Sequence, residues 1–284
     1  MFRKLLRKIR GARFKYENLV EVRVSAGAIL HNYNVFAELN PKVSVAPVLK
    51  ANAYGHGLVN VAKILDSRPP FMVVDSYHEA LILRNEGIRS KILIIGYTRP
   101  ETILTSRLKE VAFTIVSTAE ARELAETVTR PRSFHLKLDT GMHRQGVRGE
   151  ELTKVLTGLK SNPHIKLEGV CSHLADPDGE SDDFTAAQIA TWNDAVREVR
   201  RAFPSVIYSH LAQTAGSAFG KNIDANVMRL GLGLYGIDTK PGRKLDLRPA
   251  LEVWTIIASL RTVYPGERIG YNGTYTVPFT LCLF

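Results

Sequence analysis

Lys50 stands at the end of the apolar run Val43-Ser-Val-Ala-Pro-Val-Leu49, with Gly55 and Gly57 in a turn behind it and a helical pattern from Leu58 to Asp66. A primary amine at the mouth of a buried strand can condense with an aldehyde or take up a proton, which is Schiff-base and acid/base chemistry. The competing reading is a solvated lysine that happens to end a strand. Pro47 removes a ladder donor inside the run and predicts a local irregularity beside the lysine. Other chemistry-bearing side chains recur where further apolar runs end: Lys137 with Asp139, His173, Gln213 with Thr214, and Arg229 with Gly231. His135, Lys137 and Asp139 share one face of their run by the strand period of two. A mutual ion pair between Lys137 and Asp139 is the bland alternative there, because buried charges are normally paired.

Such groups act together only if the strands that carry them run parallel and end at one face. Eight strands are predicted at Val43–Leu49, Phe71–Asp75, Lys91–Tyr97, Ala112–Ser117, Ser133–Asp139, Leu167–Leu174, Val206–Ala212 and Val227–Gly231. Helical patterns fill most of the gaps, clearest at Tyr77–Asn85, Thr118–Thr129, Glu150–Lys160 and Asp183–Ala202. Strand and helix alternating over about 190 residues predict an α/β fold, a parallel (β/α)8 TIM-like barrel, whose chemistry belongs at the carboxyl ends of the strands. A preceding strand, Val20–Val24, leads to a helix from Ala26 to about Leu39 capped by Ser25. After Gly236 the pattern turns to strands and turns, so an incomplete β-rich domain is expected from residue 243 to residue 284, pairing with Val20–Val24; residues 16–242 make the barrel. The uncharged apolar end of the chain is expected to lie inside a sheet.

Composition narrows the function classes. The net charge of +10 suggests nucleic acid until it is located. Arg3, Lys4, Arg7, Lys8, Arg10, Arg13 and Lys15 carry +7 of it, leaving a nearly balanced body. No aromatic stacking set or helix-turn-helix pattern accompanies that charge, so a nucleic-acid role is discounted. Phe2, Leu5, Leu6 and Ile9 recur opposite the basic residues of the 1–15 tail, which fits weak contact with an anionic membrane surface; a solvated basic tail is the favoured alternative. The segment lacks the apolar core and cleavage site of a secretory signal, and no run is long enough to span a bilayer. Two distant cysteines and eight scattered histidines give neither a disulfide framework nor metal-ligand spacing, so a cytoplasmic, metal-free protein is expected.

From about Glu21 to Thr276 the sequence resembles alanine racemase, the barrel-type pyridoxal-phosphate enzyme. The matching stretches are Val48-Leu-Lys-Ala-Asn-Ala-Tyr-Gly-His-Gly57, His135-Leu-Lys-Leu-Asp-Thr-Gly-Met-His-Arg144, Ser172-His-Leu, His210-Leu-Ala-Gln-Thr-Ala, Arg229-Leu-Gly-Leu and Gly270-Tyr-Asn-Gly-Thr-Tyr275. The resemblance implies that Lys50 binds the cofactor as a Schiff base and serves one face of the substrate carbon, while Tyr271 serves the other from the partner of a head-to-tail homodimer. It implies Arg229 at the pyridine nitrogen, His173 linking that arginine to the tyrosine, and Tyr54, Thr214, Gly231 and Leu232 at the phosphate. Arg144 would hold the substrate carboxylate or the ring oxygen, and Lys137 matches a position that is carbamylated in some members. Gln213 and His143 stand where many members have asparagine and glycine. The family continues beyond Thr276, so the resemblance implies a chain truncated in its β domain. Three readings are open: a racemase interconverting L- and D-alanine for peptidoglycan, with serine the second substrate; a remnant that binds pyridoxal phosphate without racemising; and a related lysine-barrel decarboxylase, which the Lys50 and Tyr271 stretches count against.

Overall fold

Ser25 starts the first helix of the barrel by accepting the Ala28 N–H on its hydroxyl at 3.1 Å, and from there the chain alternates helix and strand. The computed structural model describes residues 18–283, and the basic segment 1–15 lies outside them. Strand β1 (Val20–Val24) precedes helix α1 (Ala26–Leu39) and strand β2 (Ser44–Pro47). Next come α2 (Leu58–Leu65), β3 (Met72–Val74), α3 (Tyr77–Asn85), β4 (Ile92–Ile94), α4 (Pro100–Thr105), β5 (Val111–Ile115), α5 (Thr118–Thr127) and β6 (Arg132–Lys137). Helix α6 (Gly149–Lys160), β7 (Ile165–Cys171), α7 (Asp183–Ala202), β8 (Tyr208–His210) and β9 (Val227–Leu230) complete the series.

Strands β2 to β9 form one parallel sheet in the order β2-β9-β8-β7-β6-β5-β4-β3. A bridge between Val48 and Val73 joins its two ends, with Leu49 N–H donating to Val73 O at 2.7 Å, so the sheet closes on itself as the predicted (β/α)8 barrel. Past Pro47 the chain is paired on both sides in the usual alternation, Val48 N–H donating to Leu230 O of β9 and Leu49 N–H to Val73 O of β3. Strands β3, β4 and β5 are buried along their whole length, as parallel strands covered on both faces must be. Phe71, Val73, Leu93, Ala112 and Val227 pack with Ala46 and Val48 into one cluster. Helix α7 buries Ile189, Trp192, Val196 and Val199 at helical spacing, and the Trp192 indole donates to Asp224 O at 3.2 Å. The strands are shorter than the sequence predicts, and Lys137 and Arg229 still pair within β6 and β9.

Residues 25–250 make one compact unit, and the described residues 18–24 with 251–283 make another. The second unit consists of antiparallel pairs: β1 with β10 (Leu251–Thr255), β11 (Arg261–Val263) with β14 (Leu281–Leu283), and β12 (Arg268–Ile269) with β13 (Tyr275–Thr276). Its strands are short, two to five residues each. Val253, Ile257, Leu260 and Phe279 are exposed on it. Among the described residues no helix is long and apolar enough to cross a membrane.

Candidate active site

Lys50 is followed by four consecutive non-glycine residues in the left-handed region, Ala51, Asn52, Ala53 and Tyr54, with φ between 53° and 56°. L-residues adopt this conformation at a cost of roughly 1–2 kcal/mol each, so a whole left-handed turn persists only where its surroundings impose it. Ala53 N–H donates to Leu49 O, Gly57 N–H to Asn52 O, and Ala51 N–H to Glu79 Oε1 at 2.8 Å. Asn52 Oδ1 accepts the Leu58 N–H and so starts α2. The turn reverses the chain within a few residues and sets Lys50 and Tyr54 on one cavity.

That cavity, of about 330 Å³, is lined by Lys50, Tyr54, Lys137, Arg144, His173, Thr214, Arg229, Gly231 and Leu232 together. These residues come from the carboxyl ends of barrel strands and the loops behind them, the working face of a parallel barrel. Arg229 is buried, and its donors are almost all spent: Nη1 on His210 Nδ1 (2.6 Å) and His210 O (2.8 Å), Nη2 on Ser172 O (2.6 Å), Leu211 O (3.0 Å) and His173 Nδ1 (3.1 Å). Only its Nε–H is left without a partner among the described residues. Burial, and then the Arg229 charge, push the His173 imidazole down to about 3, so His173 is neutral and accepts from the arginine. Burial, reinforced by the charges of Arg229, Arg144 and Lys50, lowers the Lys137 ammonium, which donates to Gln145 Oε1 at 3.1 Å. Arg144 is exposed and makes no hydrogen bond among the described residues, which leaves its donor fork for an anion.

At the other end of the cavity a Cβ on Gly231 would lie 3.0 Å from the Tyr54 hydroxyl, so any side chain there would press on that hydroxyl. Thr214 Oγ1 accepts the Gly233 N–H at 3.0 Å, which leaves the Thr214 hydroxyl hydrogen free to donate. Arg243 fixes this corner, donating to Thr214 O at 2.9 Å and Ser217 Oγ at 2.8 Å while paired with Asp238 at 2.6 Å.

The bland alternative for Lys137 and Asp139 is not met. Lys137 and Asp139 form no ion pair: Asp139 accepts from the backbone N–H groups of Gly141 and His143 and pairs with the His143 ring at 3.2 Å. Its own loop satisfies it first. The residues that line the cavity all lie within residues 25–250; Tyr271, expected to act in a partner's site, belongs to the other unit, where its side chain is 98% exposed. Thr114, Cys171, Asp178 and Thr239 also line the cavity, and nothing in their local sequence marks them. Gln213 donates to Leu174 O and keeps a buried Oε1 with no partner.

The fold and cavity define a class: a closed parallel barrel with a lysine at the end of its first barrel strand, a hydroxyl-and-glycine corner on one side and a buried arginine on the other. The family model described as "Alanine racemase, N-terminal domain" matches residues 24–239. The alanine racemase of Staphylococcus carnosus is 34% identical over 272 residues, covering 92% of this chain and 70% of that protein. Among solved structures, alanine racemase from Clostridium difficile 630 superposes with a TM-score of 0.81 at 27% identity, over 94% of this chain and 72% of that one. Alanine racemase from Bacillus anthracis with bound L-Ala-P gives 0.80 at 30% identity, over 94% and 71%. The chain belongs to the alanine racemase family, whose members are pyridoxal-phosphate-dependent isomerases.

The residues present fit that cofactor. A cradle that a single Cβ would fill lies beside two hydroxyls, the one unspent N–H of Arg229 suits a ring nitrogen acceptor, and Lys50 supplies the amine.

Proposed function

We propose that this chain interconverts L- and D-alanine, with Lys50 and Tyr271 of the partner subunit moving the α-proton on opposite faces. Bound pyridoxal phosphate supplies the electron sink that acidifies the substrate carbon. Lys50 Nζ anchors the cofactor and takes or returns the proton on its own face. Tyr271 of the partner subunit does the same on the other face from its hydroxyl oxygen, which requires a homodimer. Tyr54, Thr214, Gly231 and Leu232 hold the phosphate, Arg229 Nε–H faces the ring nitrogen, and neutral His173 orients the arginine. Arg144 holds the substrate carboxylate. The observation that carries the reading is the convergence on one cavity of Lys50, the Tyr54–Gly231 cradle and an arginine with one donor left.

Lys137 is proposed as a carbamate. An amine lowered in this way reacts with carbon dioxide, and the anion formed would sit among Arg144, Arg229 and Lys50. A native peptide mass without the added carbon dioxide sinks this part. Serine is proposed as the second substrate, with Gln213 on the cavity that would receive its hydroxymethyl group. The setting proposed is the cytoplasm, supplying D-alanine for peptidoglycan. The second reading, cofactor binding without racemisation, draws on the 98% exposure of Tyr271 in a single copy.

Incubation with pyridoxal phosphate and L-alanine in deuterated water separates the readings. Deuteration at the α-carbon with appearance of D-alanine supports the two-base assignment; exchange with retention removes the second base. No exchange in a chain that still forms a borohydride-reducible adduct at Lys50 leaves the cofactor-binding reading.

A further inference from the structure

Arg229 is a buried cation that forms no ion pair among the described residues, although buried charges are normally paired. Its hydrogen-bond partners continue inside the barrel, away from the cavity, as a row of polar groups that ends on a carboxylate paired with a lysine. Because Arg229 Nη1 can only donate, His210 must accept at Nδ1 and carry its proton on Nε2. That Nε2 stands 2.7 Å from His135 Nδ1, so His135 accepts there and carries its own proton on Nε2. His135 Nε2 in turn faces Glu168 Oε1 at 3.6 Å, and these two atoms are both buried with no other hydrogen-bond partner. The other oxygen of Glu168 is held by Lys91 Nζ at 2.6 Å.

The row is built into the sheet. The register of β6 on β7 slips between Phe134, opposite Leu167, and His135, opposite Gly169, so Glu168 is the extra residue of a bulge, a device that re-aims a side chain. The next residue makes room for the ring: a Cβ on Gly169 would stand 2.3 Å from His135 Nδ1. Each imidazole has its lone pair toward the cation and its N–H toward the anion, so their dipoles add. Burial drives both histidines toward the neutral form this order needs.

We propose that His210, His135 and Glu168 are positioning residues for the proposed cofactor-ring end of the cavity: they fix Arg229 as a charged, single-orientation donor by linking it through two oriented imidazoles to a carboxylate. The role assigned to the row rests on the racemase reading; the proton positions within it do not.

The experiment uses the full chain, labelled with 15N-histidine, without and then with pyridoxal phosphate. Long-range proton–nitrogen spectra, assigned with His135→Gln, are expected to show His135 and His210 as neutral Nε2–H tautomers between about pH 6 and pH 8. An Nδ1–H tautomer or an imidazolium at either position overturns the row, whatever the enzyme does. Glu168→Gln keeps shape and an acceptor while removing the charge. It is expected to shift the nitrogen signals of both histidines and to weaken pyridoxal-phosphate binding roughly tenfold, the worth of one charge-assisted hydrogen bond. Glu168→Gln combined with Lys91→Met removes both charges and guards against a fold lost to an unpaired lysine. Unchanged nitrogen signals or unchanged cofactor affinity in the folded variants overturns the positioning role. Should racemase activity prove absent while the tautomers and the affinity loss are as stated, the racemase reading fails and the row stands.

Discussion

Glu79 Oε1 accepts the Ala51 N–H at 2.8 Å, tying the first residue after Lys50 to the N-terminus of helix α3. Its other oxygen accepts from Asp75 N–H at 2.8 Å and from Ser76 N–H at 3.3 Å, closing a capping box with the Ser76 hydroxyl. One carboxylate thus starts a helix and fixes a strained left-handed turn. Glu79→Ala is expected to destabilise the chain by about 2–3 kcal/mol, the loss of a cap plus a charge-assisted bond, and to slow adduct formation at Lys50. Glu79→Gln keeps one acceptor oxygen, enough for the cap at Asp75 and Ser76, and turns its amide NH2 toward the Ala51 N–H, so it is expected to lose about half of that stability and to slow adduct formation as much as Glu79→Ala does. Urea midpoints with cofactor-loading rates make the comparison, and loading of Glu79→Gln at the parent rate would show that the tie to Ala51 is immaterial.

Gly231 and Tyr54 form the second test. Gly231→Ala places a methyl 3.0 Å from the Tyr54 hydroxyl, tighter than nearly all real contacts, so the ring must move away from the phosphate corner. Tyr54 has little freedom to move: its ring lies 5.2 Å from Tyr235, itself pinned through its hydroxyl to Val48 O at 2.9 Å. Cofactor affinity is expected to fall about tenfold or more, with folding little affected. Tyr54→Phe alone should also weaken binding, and the double variant should lose less than the sum, because removing the hydroxyl relieves the clash. Strict additivity in fluorescence titrations would separate the two residues.

The barrel was legible because parallel strands buried on both faces leave uninterrupted apolar runs, and the residues that end those runs are the ones that line the cavity. The run to Leu49 marked Lys50, and the run to Leu230 begins the stretch holding Gly231 and Leu232. The left-handed turn behind Lys50 was not legible. Ala51, Asn52, Ala53 and Tyr54 have ordinary helical chemistry, and their conformation is imposed by distant groups such as Glu79. The interior row was hidden for a related reason. His135 and His210 lie 75 residues apart and Lys91 and Glu168 77 apart, so only closure of the barrel brings them together. Strand periodicity grouped His135 with Lys137 and Asp139, but Asp139 lies past the end of β6 and is taken up by its own loop.

Arg243 supports the phosphate corner from behind. Its pair with Asp238 has 15% and 9% of the side chains exposed, and its remaining donors hold Thr214 O and Ser217 Oγ. Arg243→Ala leaves Asp238 uncompensated and is expected to cost about 3 kcal/mol of stability and to weaken cofactor binding by freeing Thr214. Arg243→Lys keeps the charge but not the planar fork and is expected to recover stability better than affinity. Calorimetry for the first quantity and titration with pyridoxal phosphate for the second read them separately; parallel losses in both variants would place the residue in stability alone.

Glu120 gives a pH dependence separate from the cavity. It is 4% exposed, one oxygen accepts Val116 N–H at 2.7 Å and the other has no partner. Burial, opposed by that N–H and assisted by Glu123, raises its carboxyl from an ordinary 4.5 to about 7. Below about pH 4.5 the group is protonated in both the native and unfolded states, so the native fold carries no charge penalty there. Between that value and about 7 the native state keeps a proton that the unfolded chain has released, so the group's contribution falls as pH rises. Above that window the buried carboxylate costs roughly 3 kcal/mol. Glu120→Gln removes the titration and keeps an acceptor for Val116. The variant is expected to match the parent near pH 4 and to exceed its stability by roughly 3 kcal/mol at pH 8. Denaturant curves of the two proteins at matched pH give the difference directly, free of every group they share, and a constant offset between them would show that the Glu120 carboxyl titrates alike in the native and unfolded states.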